Sequence, residues 1–159
     1  SMVQDGLNSS KFASWRNSSK ATVSKTNEGF GVAGRSGGIL TSDGDKIGFG
    51  LSGLTLVHEA VLIHLTAATS SLGISFGDVG NTDVGKVFLY DADGGYLGMR
   101  YFGNGHDSLS SISVQEGDFA VPVKSFLVVP QTGNFTIESV TVPEAQAVWV
   151  PQQRRLPSY

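Results

Sequence analysis

The sequence predicts an all-β fold, a β-sandwich of two antiparallel sheets, on three observations. Apolar and polar residues alternate with period two in many short runs. Turn signals built on glycine, aspartate and asparagine separate these runs roughly every 8–12 residues. The longest apolar patches, 60–65 and 126–129, are strand-sized and too short to cross a membrane. A chain of 159 residues suits one domain with a sizeable core.

Taken in order, residues 1–18 are polar and rich in serine and asparagine, apart from Phe12 and Trp15. They read as an N-terminal arm with a first short strand. Residues 19–143 hold the sandwich. A strand over 20–26 precedes the glycine-rich loop 29–38, and 41–46 is a turn by composition. Segment 46–51 re-enters the sheet, and only 52–63 has partly helical character. Over 60–67, Val61, Ile63, Leu65 and Ala67 share one face, which turns His64 away from the core. Over 72–79, Leu72, Ile74 and Phe76 do the same. Segment 85–91 is apolar on both faces, so it belongs at the centre of a sheet or under a loop. Its hairpin partner is 95–103. Segments 111–114, 118–123, 125–129, 134–142 and 147–150 complete roughly nine or ten strands. Pro122 and Pro130 belong at strand ends or edges, because proline cannot donate to the ladder. Residues 144–159 are a last edge strand or a C-terminal tail.

Composition narrows the function. The net charge is −3, and lysine and arginine are scattered, so there is no basic stripe for nucleic acid. There are no cysteines, which removes disulfide frameworks, thiolate metal sites and cysteine nucleophiles. Ser1-Met2 reads as a cloning remnant, so the lack of a visible secretory leader excludes nothing.

The residues that could carry chemistry fall into a few groups. Gly29, Gly31 and Gly34 have the spacing of a dinucleotide fingerprint, but turn-rich β sequence follows where a helix is required. His106-Asp107-Ser108 has the residue types of a hydrolytic triad, yet triads assemble from separate segments. Asp91-Ala92-Asp93-Gly94-Gly95 is good hairpin chemistry, since aspartate bonds its local backbone and glycine takes positive φ. Calcium needs six to eight oxygens, more than two carboxylates supply. Two further acidic turns, Asp43-Gly44-Asp45 and the Asp78, Asn81, Asp83 stretch, could share an ion with a carboxylate such as Glu59. The aromatics suit a sugar-stacking platform: Tyr96, Arg100 and Phe102 fall on one face of their strand by simple alternation, with Trp15 as a further candidate and Tyr101 pointing the other way.

The succession "GFGVAG", "SDGDKIGFGL", "EAVLIHL", "GISFGDV" and "GKVFLYDADGGYLG" over residues 29–103 resembles a group of bacterial exoprotein domains. These are the jelly-roll, galactose-binding-like domains of surface-anchored and type I-secreted proteins. The resemblance implies a jelly-roll sandwich and an extracellular binding or adhesion module, secreted or at the cell surface. It also implies a structural calcium ion, with Asp43, Asp45 and Glu59, and the hairpin pair Asp91 and Asp93, as ligand candidates. The acidic turn here is thinner than that group's. The expected protein is therefore non-catalytic, with carbohydrate or a matrix component as partner. The alternative is a structural domain that forms homo-oligomers through sheet edges.

Overall fold

The computed structural model describes residues 4–17, 22–26, 29–33, 46–52 and 55–143, without the side chains of 15–17, 22–26, 30–33, 49–52 and 55–58. The described residues form one helix, α1 (Ser10–Asn17), and eleven strands. These are β1 (Thr22–Thr26), β2 (Gly29–Ala33), β3 (Ile47–Ser52), β4 (Thr55–His58), β5 (Val61–Thr69), β6 (Leu72–Gly77), β7 (Val84–Tyr90), β8 (Tyr96–Gly103), β9 (Ser111–Val114), β10 (Val123–Thr132) and β11 (Asn134–Thr141).

The strands form two sheets, one of four strands in the order β5-β10-β7-β8 and one of seven. In the seven-stranded sheet β11 is the hub. It pairs with β6 along one edge, and β6 in turn pairs with β9. Along the other edge it meets β3 at Asn134 and Phe135, then β2 at Ile137. Strand β1 extends β2, and β4 extends β3 as a hairpin. Every pairing is antiparallel.

The sheets pack face to face, the arrangement that lets alternating strands bury one face each. Leu72, Ile74 and Phe76 of β6, Phe135 and Ile137 of β11, and Ile112 of β9 meet Val87 and Leu89 of β7, Phe126 and Val128 of β10, and Phe102 of β8. Aromatic packing centres this core: Phe76 stacks on Phe102 at 3.7 Å between centroids, and Phe135 approaches both rings edge-on. Phe102 lies across Gly85, its register partner on β7.

A second cluster covers the outer face of the four-stranded sheet. Phe88 and Tyr90 of β7 and Leu127 of β10 are buried there under Phe12 of α1, with Leu7 alongside. This is why β7 is apolar on both sides. The N-terminal stretch makes a helix in place of the expected short strand. Ser9 caps it: its Oγ accepts from the Phe12 amide at 3.1 Å, and its carbonyl accepts from Ala13 at 2.9 Å. Burial of Phe12, fully shielded from solvent, holds so short a helix in place.

Pro122 immediately precedes β10, and Pro130 sits at a register shift beyond the stretch that β5 pairs. Expected strands over 118–123 and 147–150 fare differently. Residues 115–122 are a loop, and 144–159 lie outside the described residues.

Candidate functional site

The acidic hairpin is a capped turn. Asp91 accepts at Oδ1 from the amides of Asp93 (2.9 Å) and Gly95 (2.8 Å). Backbone bonds Asp91 N to Gly95 O and Gly94 N to Asp91 O close it, with Gly94 at φ 82°. The N-terminal arm docks on the tip, where Leu7 N donates to Gly94 O and Asn8 Nδ2 donates to the Asp93 carbonyl.

Glu59, Asp78 and Asp83 are also engaged. Glu59 Oε2 accepts from Gly48 N at 3.0 Å, and Glu59 N donates to Gly48 O. Asp78 forms an ion pair with Lys46. Asp83 accepts from Gly80 N at Oδ2 and from Asn134 N at Oδ1. Among the described residues no three histidine or acidic side chains gather in a group able to hold a metal ion. Glu59, Asp91 and Asp93 thus do not form a calcium cage between them, while Asp43 and Asp45 lie outside the described residues.

The expected aromatic face is divided by a register shift. On β8, Gly98 pairs with Leu89 but Tyr96 pairs with Tyr90, so one extra residue is bulged between them. The bulge reverses the alternation. Tyr96 packs on the outer side, its ring 6.0 Å from Tyr90 and 6.3 Å from Phe88. Phe102 points inward and is fully buried in the core. Arg100 lies on that same inner side. Its guanidinium stacks 4.9 Å from the Phe119 ring, pairs with Asp118 at 3.5 Å and donates to the Met99 carbonyl. Tyr96, Arg100 and Phe102 therefore do not share a face, and Phe102 is closed to a ligand. Trp15 belongs to α1, but its side chain lies outside the described residues.

Burial pushes the Tyr90 phenol well above its ordinary value, with Tyr96 adding to it. The Tyr96 phenol is raised by burial first and by Tyr101 second. Both rings act as apolar packing with a neutral hydroxyl.

Tyr101, on the outer face and 38% exposed, is the aromatic presented to solvent among the described residues. The His106 ring stacks on it at 4.7 Å with the planes 4° apart. Lys86, its register partner on β7, places Nζ 5.9 Å from the Tyr101 centroid. The turn after β8 makes this possible. Gly103 at φ 106° and Gly105 at φ 82° fold the chain back, and bonds from Asn104 N to Asp83 O and from His106 N to Gly103 O fix it. The Tyr-Phe-Gly-Asn-Gly-His order carries that signal in the sequence: an aromatic, then two turn glycines, then a ring that can return to it. His64, exposed on β5 as its alternation implies, holds Ser125 Oγ at 2.7 Å.

Comparison with family models, with curated proteins and with solved structures found no match for this chain.

Proposed function

We propose that this chain is a non-catalytic carbohydrate-binding module of a secreted or cell-surface protein. Its ligand surface is Tyr101, His106 and Lys86 on the outer face of the four-stranded sheet. The observation that carries the reading is the exposed Tyr101 ring with the His106 imidazole stacked on it and the Lys86 ammonium over it. With the imidazole already stacked on Tyr101, a pyranose would pack its apolar face against the exposed side of that stacked pair, and the imidazole and ammonium nitrogens would bond its hydroxyls.

We read the sandwich as a jelly roll. The strand orders β2-β11-β6-β9 and β5-β10-β7-β8 support it, being the interleaved order of two Greek keys. On that reading β1 and the β3–β4 hairpin are additions. The extracellular placement rests on the resemblance of residues 29–103 to bacterial exoprotein domains.

The test is a glycan array followed by NMR titration of the best binders. Tyr101→Ala is expected to weaken binding roughly five- to tenfold, in line with the loss of one aromatic contact of about 1–1.5 kcal/mol, with the circular dichroism spectrum unchanged. Wild-type protein that binds no glycan, or a Tyr101→Ala protein that binds as well, sinks the proposal.

One observation favours assembly as a second reading. Among the described residues strand β5 is an edge of nine residues with no Asp, Glu, Lys or Arg and no proline, the type of edge that pairs with another chain. Light scattering that gives a dimer, abolished by Thr66→Pro, supports it. A monomer at every concentration removes it.

A further inference from the structure

We infer that the Tyr101 surface selects pyranoses that carry a carboxylate, a hexuronate being the simplest. This rests on the carbohydrate-binding reading above and adds the charge of the ligand.

The cations of the described residues differ in what they meet. Lys11 pairs with Asp5, Lys46 with Asp78 and Arg100 with Asp118. Lys124 donates to the Thr66 carbonyl at 2.9 Å. Lys86 meets only the Tyr101 ring. The chain as a whole is acidic, with net charge −3, so an uncompensated ammonium beside its exposed aromatic is a local reversal of sign.

Two carboxylates come near in the chain, and neither neutralises Lys86. Asp83 gives its oxygens to the Gly80 and Asn134 amides. Asp107, exposed beside His106, forms no ion pair among the described residues. His106 makes no side-chain hydrogen bond among the described residues, so its stacked ring keeps its nitrogens for a ligand. A pyranose packed against the stacked Tyr101–His106 pair would meet both the Lys86 ammonium and the imidazole nitrogens. A ring carboxylate is the substituent that uses the ammonium best, as a charge-assisted hydrogen bond.

The experiment compares α-1,4-linked trigalacturonate with the neutral α-1,4-linked galactotriose by NMR titration at low salt. Wild-type protein is expected to bind the acidic trimer roughly fivefold tighter, the scale of one solvent-exposed ion pair. The preference shrinks as sodium chloride is raised toward 0.5 M, because an exposed pair is screened. Lys86→Gln is expected to erase the preference, bringing the affinity for the acidic trimer down to that for the neutral one with the melting temperature unchanged, and Lys86→Arg to keep it. Equal affinities for the two trimers in the wild type, or a preference that survives Lys86→Gln, overturns the charge assignment and leaves the carbohydrate reading standing. Binding of neither trimer, together with an empty glycan array, overturns both.

Discussion

Replacing Gly85 with alanine tests how tightly the aromatic core is built. Gly85 needs no special backbone angle, so only space is at issue. A Cβ there would lie 2.2 Å from Phe102 Cζ and 2.4 Å from Cε1. Phe102 cannot simply retreat: Phe76 stacks on it at 3.7 Å, and Phe135 meets its edge at 4.8 Å. One surplus methyl in a close-packed core costs about 1–3 kcal/mol. With the ring blocked on two sides, Gly85→Ala belongs at the upper end, about 3 kcal/mol. For a domain of this size that lowers the melting temperature by roughly 6–12 °C. The assay is urea unfolding of four proteins: wild type, Gly85→Ala, Phe102→Leu and the double variant. Leucine lacks the Cζ that the new methyl meets, so Gly85→Ala is expected to cost less than about 1 kcal/mol in the Phe102→Leu background, the coupling lying in the range for residues in contact. An equal cost in both backgrounds, or a cost below about 0.5 kcal/mol in the wild type, refutes the packing account.

Three further outcomes are expected. Burial raises the Tyr90 phenol above its ordinary 10.0, so the fold favours the neutral form. That stability is complete below about pH 10 and falls as pH rises further, by up to about 1.4 kcal/mol per pH unit. Urea midpoints between pH 8 and 11 should decline less steeply in Tyr90→Phe, and parallel curves would remove the assignment. Gly103→Ala combines φ 106° with a Cβ 2.2 Å from the Asp83 carbonyl, so it should cost roughly 2 kcal/mol or more. It should also shift the His106 ring proton resonances, and unchanged resonances would count against the Gly103 turn as the device that seats His106. Asp91→Ala leaves two backbone amides without their acceptor and should cost about 1–2 kcal/mol, equally with calcium or with chelator. A cost that appears only with calcium would make Asp91 an ion ligand.

The all-β character is legible in the sequence because a half-buried strand must alternate. Leu72, Ile74 and Phe76 could hardly be read otherwise, and the two-sided apolar pattern of Phe88 and Tyr90 called for a central strand or one under a loop; β7 is internal to its sheet and lies under α1. What covers them was not legible. In a stretch as polar as 9–17 the buried apolar anchor among the described side chains is Phe12, and helix there depends on the sheet beneath it. The aromatic site failed at one step. Period two assigns Tyr96 and Phe102 to one face, but a bulge leaves no mark on period two, and the single extra residue exchanges the faces. The acids were ambiguous for a chemical reason: an aspartate that receives backbone amides has the same side chain as one that binds an ion. Only the partners of Asp91, Asp83 and Glu59 separate the two uses.

The two ends of β7 differ in how freely they could be redesigned. At its far end, Asp91 serves the hairpin in which it stands, so that turn carries its own acceptor. At the near end, Asp83 serves three turns at once, through its carboxylate to Gly80 and Asn134 and through its carbonyl to Asn104. A Cβ on Gly133 would fall on that same carboxylate. Loop exchange at this end is therefore not modular: grafting a new 78–83 segment without an aspartate would also release the 131–134 turn, leaving only the backbone carbonyl of residue 83 to hold Asn104. A library meant to alter ligand choice should vary 104–109 and hold Asp83 and Gly133 constant.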